Sequence, residues 1–224
     1  MRVVLVGAPG ATATRHWSDA FAGDLAREFI ARGANVEWLR FAPADVSAHG
    51  LVQRDVRTSS PAPLHRVAAG TQDSTIESAL VASLRANPAT AVVHVGVGAR
   101  GSPNILWLAD RMGSTPFAVV RSSEIVCHRG DLIHATGLAC ATFDDASRCC
   151  ECCAKSKWRR PRPADLHNRW DLLIAGLYSS AAVFVAEEVD CERLAASGVP
   201  RRTLCVTQDP RVIGARVLGS LVAT

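Results

Sequence analysis

Six of the eight cysteines of this 224-residue chain fall between Arg121 and Cys153, at positions 127, 140, 149, 150, 152 and 153, with His128 and His134 among them. Thiolates so spaced suit a tetrahedral metal ion, because a C-x-x-C step presents two sulfurs from one turn and separated cysteines complete the shell. Two such steps are present, Cys149 to Cys152 and Cys150 to Cys153. One expectation is a structural zinc held by Cys127, Cys140, Cys150 and Cys153. Two others stay open: buried thiols packing as small apolar groups, and disulfides, which an oxidising compartment would favour. The two histidines could complete a metal shell, donate to a ligand, or be ordinary surface residues.

Other residues suggest other chemistry. Gly96-Val97-Gly98-Ala99-Arg100-Gly101 matches the dinucleotide fingerprint, whose glycines let backbone amides approach a pyrophosphate at a helix start. Glu124 lies near the distance expected of its acidic partner. This makes an NAD(P)-dependent oxidoreductase one alternative, and a flexible glycine turn the plainer one. Lys155, Lys157, Arg159, Arg160 and Arg162, with Trp158, form a basic run that could meet anionic lipid headgroups or a phosphorylated acceptor, or could simply be a solvated loop. Arg15 and His16 follow the first strand and face the expected cleft. His94, inside an apolar run, is expected to be a hydrogen-bonded core histidine. Trp38, Trp107 and Trp170 read as core or interface, and Cys191 and Cys205 as buried thiols.

These residues need a frame to position them. Arg2 to Val6 is an apolar run closed by Gly7, which predicts a buried parallel strand. A helix capped by Ser18 follows to about Arg32, then a strand over Val36 to Phe41, completing a β-α-β unit with a right-handed crossover. Residues 43–70 carry prolines and serines without a period and predict a loop with a short helix or strand. Ser74 and Glu77 form a capping box for a helix to about Ala86. Strand Ala91 to Val95, a helix from Asn104 to Met112 opened by Ser102-Pro103, and strand Pro116 to Val120 come next. After the cysteine excursion follow helix Asp165 to Tyr178, strand Ala182 to Val185, helix Val189 to Ser197 and strand Thr203 to Val206. Strand and helix alternate, which predicts one doubly wound Rossmann-like α/β domain over residues 1–206. Its cysteine-rich insertion covers 121–163, and a tail covers 207–224. The excursion leaves the carboxyl end of a central strand, where open parallel sheets place their ligands.

The totals narrow the function classes. The chain is 48% apolar and 21% charged, as a globular domain is, and its net charge of +4 is too small to argue for nucleic acid. It has no apolar run of about 18 residues and no signal-type amino end, so a cytoplasmic location is expected.

Three segments together resemble the glycosyltransferases of family 4, which have the GT-B fold. Ala91 to Gly113 resembles that family's strand, loop and helix. Cys127-His128-Arg129-Gly130-Asp131-Leu132 resembles its Cys-Pro-Arg-Gly-x-Leu segment, with Cys140 and Cys149 to Cys153 resembling its downstream cysteines. Ala181 to Val206 resembles the end of its first domain, including Gly198-Val199-Pro200. The resemblance implies the amino-terminal, acceptor-side half of a GT-B enzyme, active only with a donor-binding partner chain that holds the nucleotide-sugar, and otherwise self-associating. It implies acceptor contacts at Arg15, His16, Arg121, Ser122 and Arg129, suited to a phosphorylated or carbohydrate acceptor. The chain departs from the family at Arg121-Ser122-Ser123, where a His-Asp pair is usual, at the separated Gly7 and Gly10, and at Glu187, where Ser is often found. A non-catalytic scaffold kept folded by zinc is the alternative of a different class.

Overall fold

A computed structural model describes residues 1–7, 17–40, 51–56, 74–97, 102–128, 132–140, 145–154 and 161–222. The expectations placed on Arg15, His16, Arg129, residues 98–101 of the glycine fingerprint and 155–160 of the basic run lie outside the described residues.

Seven strands form one parallel sheet: β1 (Arg2–Gly7), β2 (Asn35–Arg40), β3 (Leu51–Asp55), β4 (Ala91–Val95), β5 (Thr115–Val119), β6 (Ala182–Val185) and β7 (Leu204–Val206). Their order is β3-β2-β1-β4-β5-β6-β7. Val3 pairs with Val36 on one side and Ala91 on the other, so the strand order reverses at β1 and β4. Such a reversal opens a crevice at the carboxyl ends of those two strands. The helices are α1 (Trp17–Ala31), α2 (Ser74–Ala86), α3 (Ile105–Arg111), α4 (Ser122–Val126), α5 (Ala146–Cys153), α6 (Pro163–Ser179), α7 (Glu188–Ala196) and α8 (Pro210–Val222). The Rossmann-like class expected from the sequence is the one observed. Among the described residues no helix is long and apolar enough to cross a membrane.

Side chains alternate across each strand. Val3, Leu5, Trp38, Val93 and Phe117 enter one core with Phe29 of α1 and Ile213 and Val217 of α8. Val4, Val6 and Val92 face the opposite side, under Ile76 and Leu80 of α2 and Ile105 of α3. Burying a side chain as large as Phe29 or Phe117 contributes about 1.5–3 kcal/mol. The expected tail is therefore helix α8, which completes the principal core. Helix α1 opens one residue before Ser18, and Ser18 lies buried in its first turn instead of capping it. Glu77, expected to cap its own helix, accepts hydrogen bonds from Ser102 Oγ and from Asn104 Nδ2 (3.1 Å) at the start of α3. A carboxylate at that end also favours the positive helix terminus.

Helices α3 and α6 cross closely because Gly176 has no side chain. A Cβ there would stand 3.2 Å from Pro103 O and 3.4 Å from Leu106 Cβ. Gly176→Leu is expected to cost about 1–3 kcal/mol, a fall in Tm of about 2–4 °C per kcal/mol for a chain this size. Thermal unfolding followed by circular dichroism checks it; an unchanged Tm would show that the helices can separate freely.

Candidate functional site

The described wall of the crevice begins where β5 ends. Val120 is buried, Arg121 is exposed, and α4 starts at Ser122. The Arg121 guanidinium lies 4.6 Å from the centroid of the Trp17 ring, over its face. Trp17 Nε1 donates to Glu124 Oε1 at 2.7 Å. Glu124 is only 5% exposed. Burial raises its pKa above the ordinary carboxyl value, and the Trp17 hydrogen bond, Arg121 and Arg169 pull the other way. From behind, Arg169 Nη2 of α6 donates to the Glu124 carbonyl at 3.3 Å. Arg169 is itself buried, which lowers its pKa to about 10, against the opposing pull of Cys127, Cys153 and Glu124. The first turn of α1, the end of β5 and the middle of α6 thus meet around one buried carboxyl group, with a stacked cation at its solvent side.

Of the five expected acceptor contacts, two are described. Arg121 stands exposed on the crevice wall. Ser122 is fully buried; its Oγ donates to Asp190 Oδ1 of α7, and Arg193 Nη1 reaches the same hydroxyl at 3.5 Å. Its hydroxyl is engaged within the fold. Trp17 carries no motif in the sequence, and Glu124 stands out there only as a partner of the glycine fingerprint. No motif could join two residues 107 positions apart; Arg121 and Glu124, just past an apolar run, were the available signal. Helix α3 begins at Ile105, four residues after Gly101, and the Glu124 carboxyl that the fingerprint would need is held by Trp17.

His94, expected to be hydrogen-bonded, is fully buried on β4 between Val6 and Ala118, with neither ring nitrogen partnered among the described residues. Burial lowers its pKa to about 3, so the ring is neutral at pH 7. Trp38 is fully buried, whereas Trp107 is 44% exposed with the Arg111 guanidinium 5.3 Å from its ring centroid. Cys191 and Cys205 are buried, as expected. In the basic run, Arg162 is exposed and paired with Asp165 at 2.8 Å, where it closes the start of α6.

The cysteine excursion sits beside this wall. Cys127 ends α4. Residues 132–140 make a tight hairpin in which His134 N donates to Leu138 O (2.8 Å) and Cys140 N to Leu132 O (2.7 Å). Gly137 turns it at φ 86°, in the left-handed region that glycine adopts without strain. Asp145 then caps α5, its Oδ1 accepting from Ser147 N (2.9 Å) and Arg148 N (3.1 Å). This cap is a sequence signal for a helix inside the expected cysteine-rich insertion. One face of α5 carries Cys149, Cys152 and Cys153; they border a hollow of about 10 Å³ together with Cys127 and Cys140. Cys150 does not line it and packs with Leu166. None of the eight cysteines is disulfide-bonded. Among the described residues, no three Cys, His, Asp or Glu side chains already stand in a metal-holding arrangement.

No protein-family model matches the sequence, and no curated protein sequence matches it. Solved structures do. The chain aligns over 100% of its length with 50% of a UDP-GlcNAc 2-epimerase from Neisseria meningitidis bound to UDP-GlcNAc (TM-score 0.53, 13% identity). It aligns over 92% with 47% of sucrose-phosphate synthase from Thermosynechococcus elongatus (TM-score 0.56, 11% identity). A shortened form of the latter protein is covered to 98% (TM-score 0.57, 10% identity). The chain spans about half the length of the first two, and at these identities the likeness is one of fold. That fold is a Rossmann-like lobe of the GT-B type.

Proposed function

We propose that this lobe is the acceptor-binding half of a glycosyltransferase of the family 4 kind, and that sugar transfer needs a donor-binding lobe from a partner chain. The supporting observation is that one seven-stranded parallel lobe matches about half of each of two larger enzymes, one of them bound to a sugar nucleotide. On this reading the nucleotide-sugar is held by the partner lobe and the acceptor lies along the crevice beside Arg121. An exposed guanidinium braced on an indole suits a phosphorylated or polyhydroxylated acceptor, since charge-assisted hydrogen bonds to phosphate are short and strong. The buried Glu124 restrains Trp17 and through it the cation, without meeting the acceptor.

The test is reconstitution. The purified chain is incubated with radiolabelled UDP-glucose or UDP-N-acetylglucosamine and a native-host extract as acceptor source, alone and after co-expression with donor-binding lobes encoded beside it. The expected result is no turnover alone and transfer with a partner. Enzyme-like turnover by the chain alone would overturn the reading, as would co-expressed lobes that neither bind the chain nor confer transfer.

A further inference from the structure

The thiol-bordered hollow adjoins the Arg121 wall through Arg169, which is near Cys127, Cys153 and Glu124, but its chemistry does not depend on sugar transfer. Four of the five cysteines that border it come from three separate stretches of chain. Cys127 comes from the end of α4, Cys140 from the exit of the hairpin, and Cys149 and Cys152 from successive turns of α5. All four line the one hollow. The hollow is about the size of one water molecule, room for a single ion.

Two further observations point to an ion. His128, 4% exposed, lines the same hollow, and its Nδ1 has no partner among the described residues. The hairpin has little apolar burial to hold it: Ile133 is 45% and Leu138 71% exposed. A two-stranded piece of this kind is marginal in water unless something ties it down. A metal ion bound to Cys140 would join it to α4 and α5.

We propose that Cys127, Cys140, Cys149 and Cys152 form a tetrathiolate site for zinc or a similar soft divalent ion, closed by side-chain rotation when the ion enters. The step used is Cys149 to Cys152, not Cys150 to Cys153. The helix accounts for the choice. Cys149, Cys152 and Cys153 border the hollow and Cys150 does not, although Cys149 and Cys150 both pack with Leu166. Four thiols this close resist ionising together, and a divalent cation reverses that by taking each as thiolate and releasing its proton. Affinity therefore falls as the pH is lowered.

The experiment uses the full chain purified under reducing conditions. Its metal content is measured after loading with zinc and gel filtration, and the metal-free chain is titrated with cobalt(II). Expected are one retained zinc per chain and the intense visible absorption of tetrahedral cobalt with thiolate charge-transfer bands. Cys149→Ser with Cys152→Ser is expected to weaken cobalt binding by at least about 100-fold, and Cys150→Ser to leave it unchanged. Zinc is also expected to slow amide exchange at His134, Gly137 and Cys140, the hairpin's hydrogen-bonded donors. Three results would overturn the site: no stoichiometric metal in the wild type, undiminished binding in the double variant, or disulfides among these four cysteines in the chain as isolated from its host. Should the double variant fail to fold, the wild-type stoichiometry, cobalt spectrum and exchange pattern decide alone.

Discussion

Lowering the pH from 7 to about 4.5 is expected to remove several kcal/mol of stability, and His94→Leu is expected to restore about half of the loss. His94 and His128 both have pKa values near 3 in the folded chain, against 6.5 for an unperturbed histidine, and burial is the leading cause for each. The sign follows from proton counting. Between those two values the unfolded chain binds protons that the folded chain refuses, so stability is complete above 6.5 and declines as the pH falls. At pH 4.5 an unperturbed histidine favours the unfolded state by about 2.7 kcal/mol. Two such groups amount to about 5 kcal/mol, comparable with the whole stability of a marginal domain. Glu124 acts in the opposite sense: its raised pKa means that its contribution is present at low pH and lost as the pH rises through the folded value, which offsets part of the change. His94→Leu removes one histidine and two unpartnered ring nitrogens, and such near-isosteric core changes cost less than about 1.5 kcal/mol. Urea unfolding of both proteins at pH 7 and 4.5 checks it. Equal pH dependence in the two would show that His94 is not the acid-sensitive group.

The second large effect concerns ligand binding at the crevice. Arg121→Ala is expected to weaken binding of a phosphorylated acceptor by about 10- to 150-fold, the range for losing one charge-assisted hydrogen bond of about 1.5–3 kcal/mol. On the proposed reading the loss falls on Kd and KM rather than kcat, because Arg121 would hold the acceptor. Arg121→Lys should restore part of the affinity, since the charge returns without the planar fork. Folding should hardly change: the residue is exposed, and an exposed cation–ring contact contributes about 0.5–1 kcal/mol. Calorimetry with a hexose phosphate as the probe distinguishes the outcomes. Equal binding by the wild type and the alanine variant would remove Arg121 from the acceptor path.

The frame was legible in the sequence because its signals are local. The apolar runs at Arg2–Gly7, Ala91–Val95 and Ala182–Val185 have no alternative use as polar-faced helices, and the glycine and proline stops between them set the alternation. Helix α8 is weakly marked in the sequence: Asp209 and Pro210 open it, Asp209 Oδ1 accepting from Arg211 N (2.9 Å), but no acidic first turn or basic last turn follows; its packing on α1 shows that Ile213 and Val217 belong to the core. Strand β3 was blurred by Gln53, Arg54 and Asp55, tolerable at a sheet edge but weak as a pattern. The sites were less legible for the same reason. Which C-x-x-C step faces the hollow depends on the rotation of α5, and the Trp17–Glu124 hydrogen bond depends on α1 and α4 meeting beside β5. Both are tertiary facts.

The close crossing at Gly176 ties these parts mechanically. Helix α5 packs on α6, and α6 lies against α3 with no side chain from Gly176 between them to cushion a slide. Close-packed interiors carry small displacements onward rather than absorbing them. A displacement of α5 would thus be carried through α6 to Pro103 and Leu106, where α3 begins.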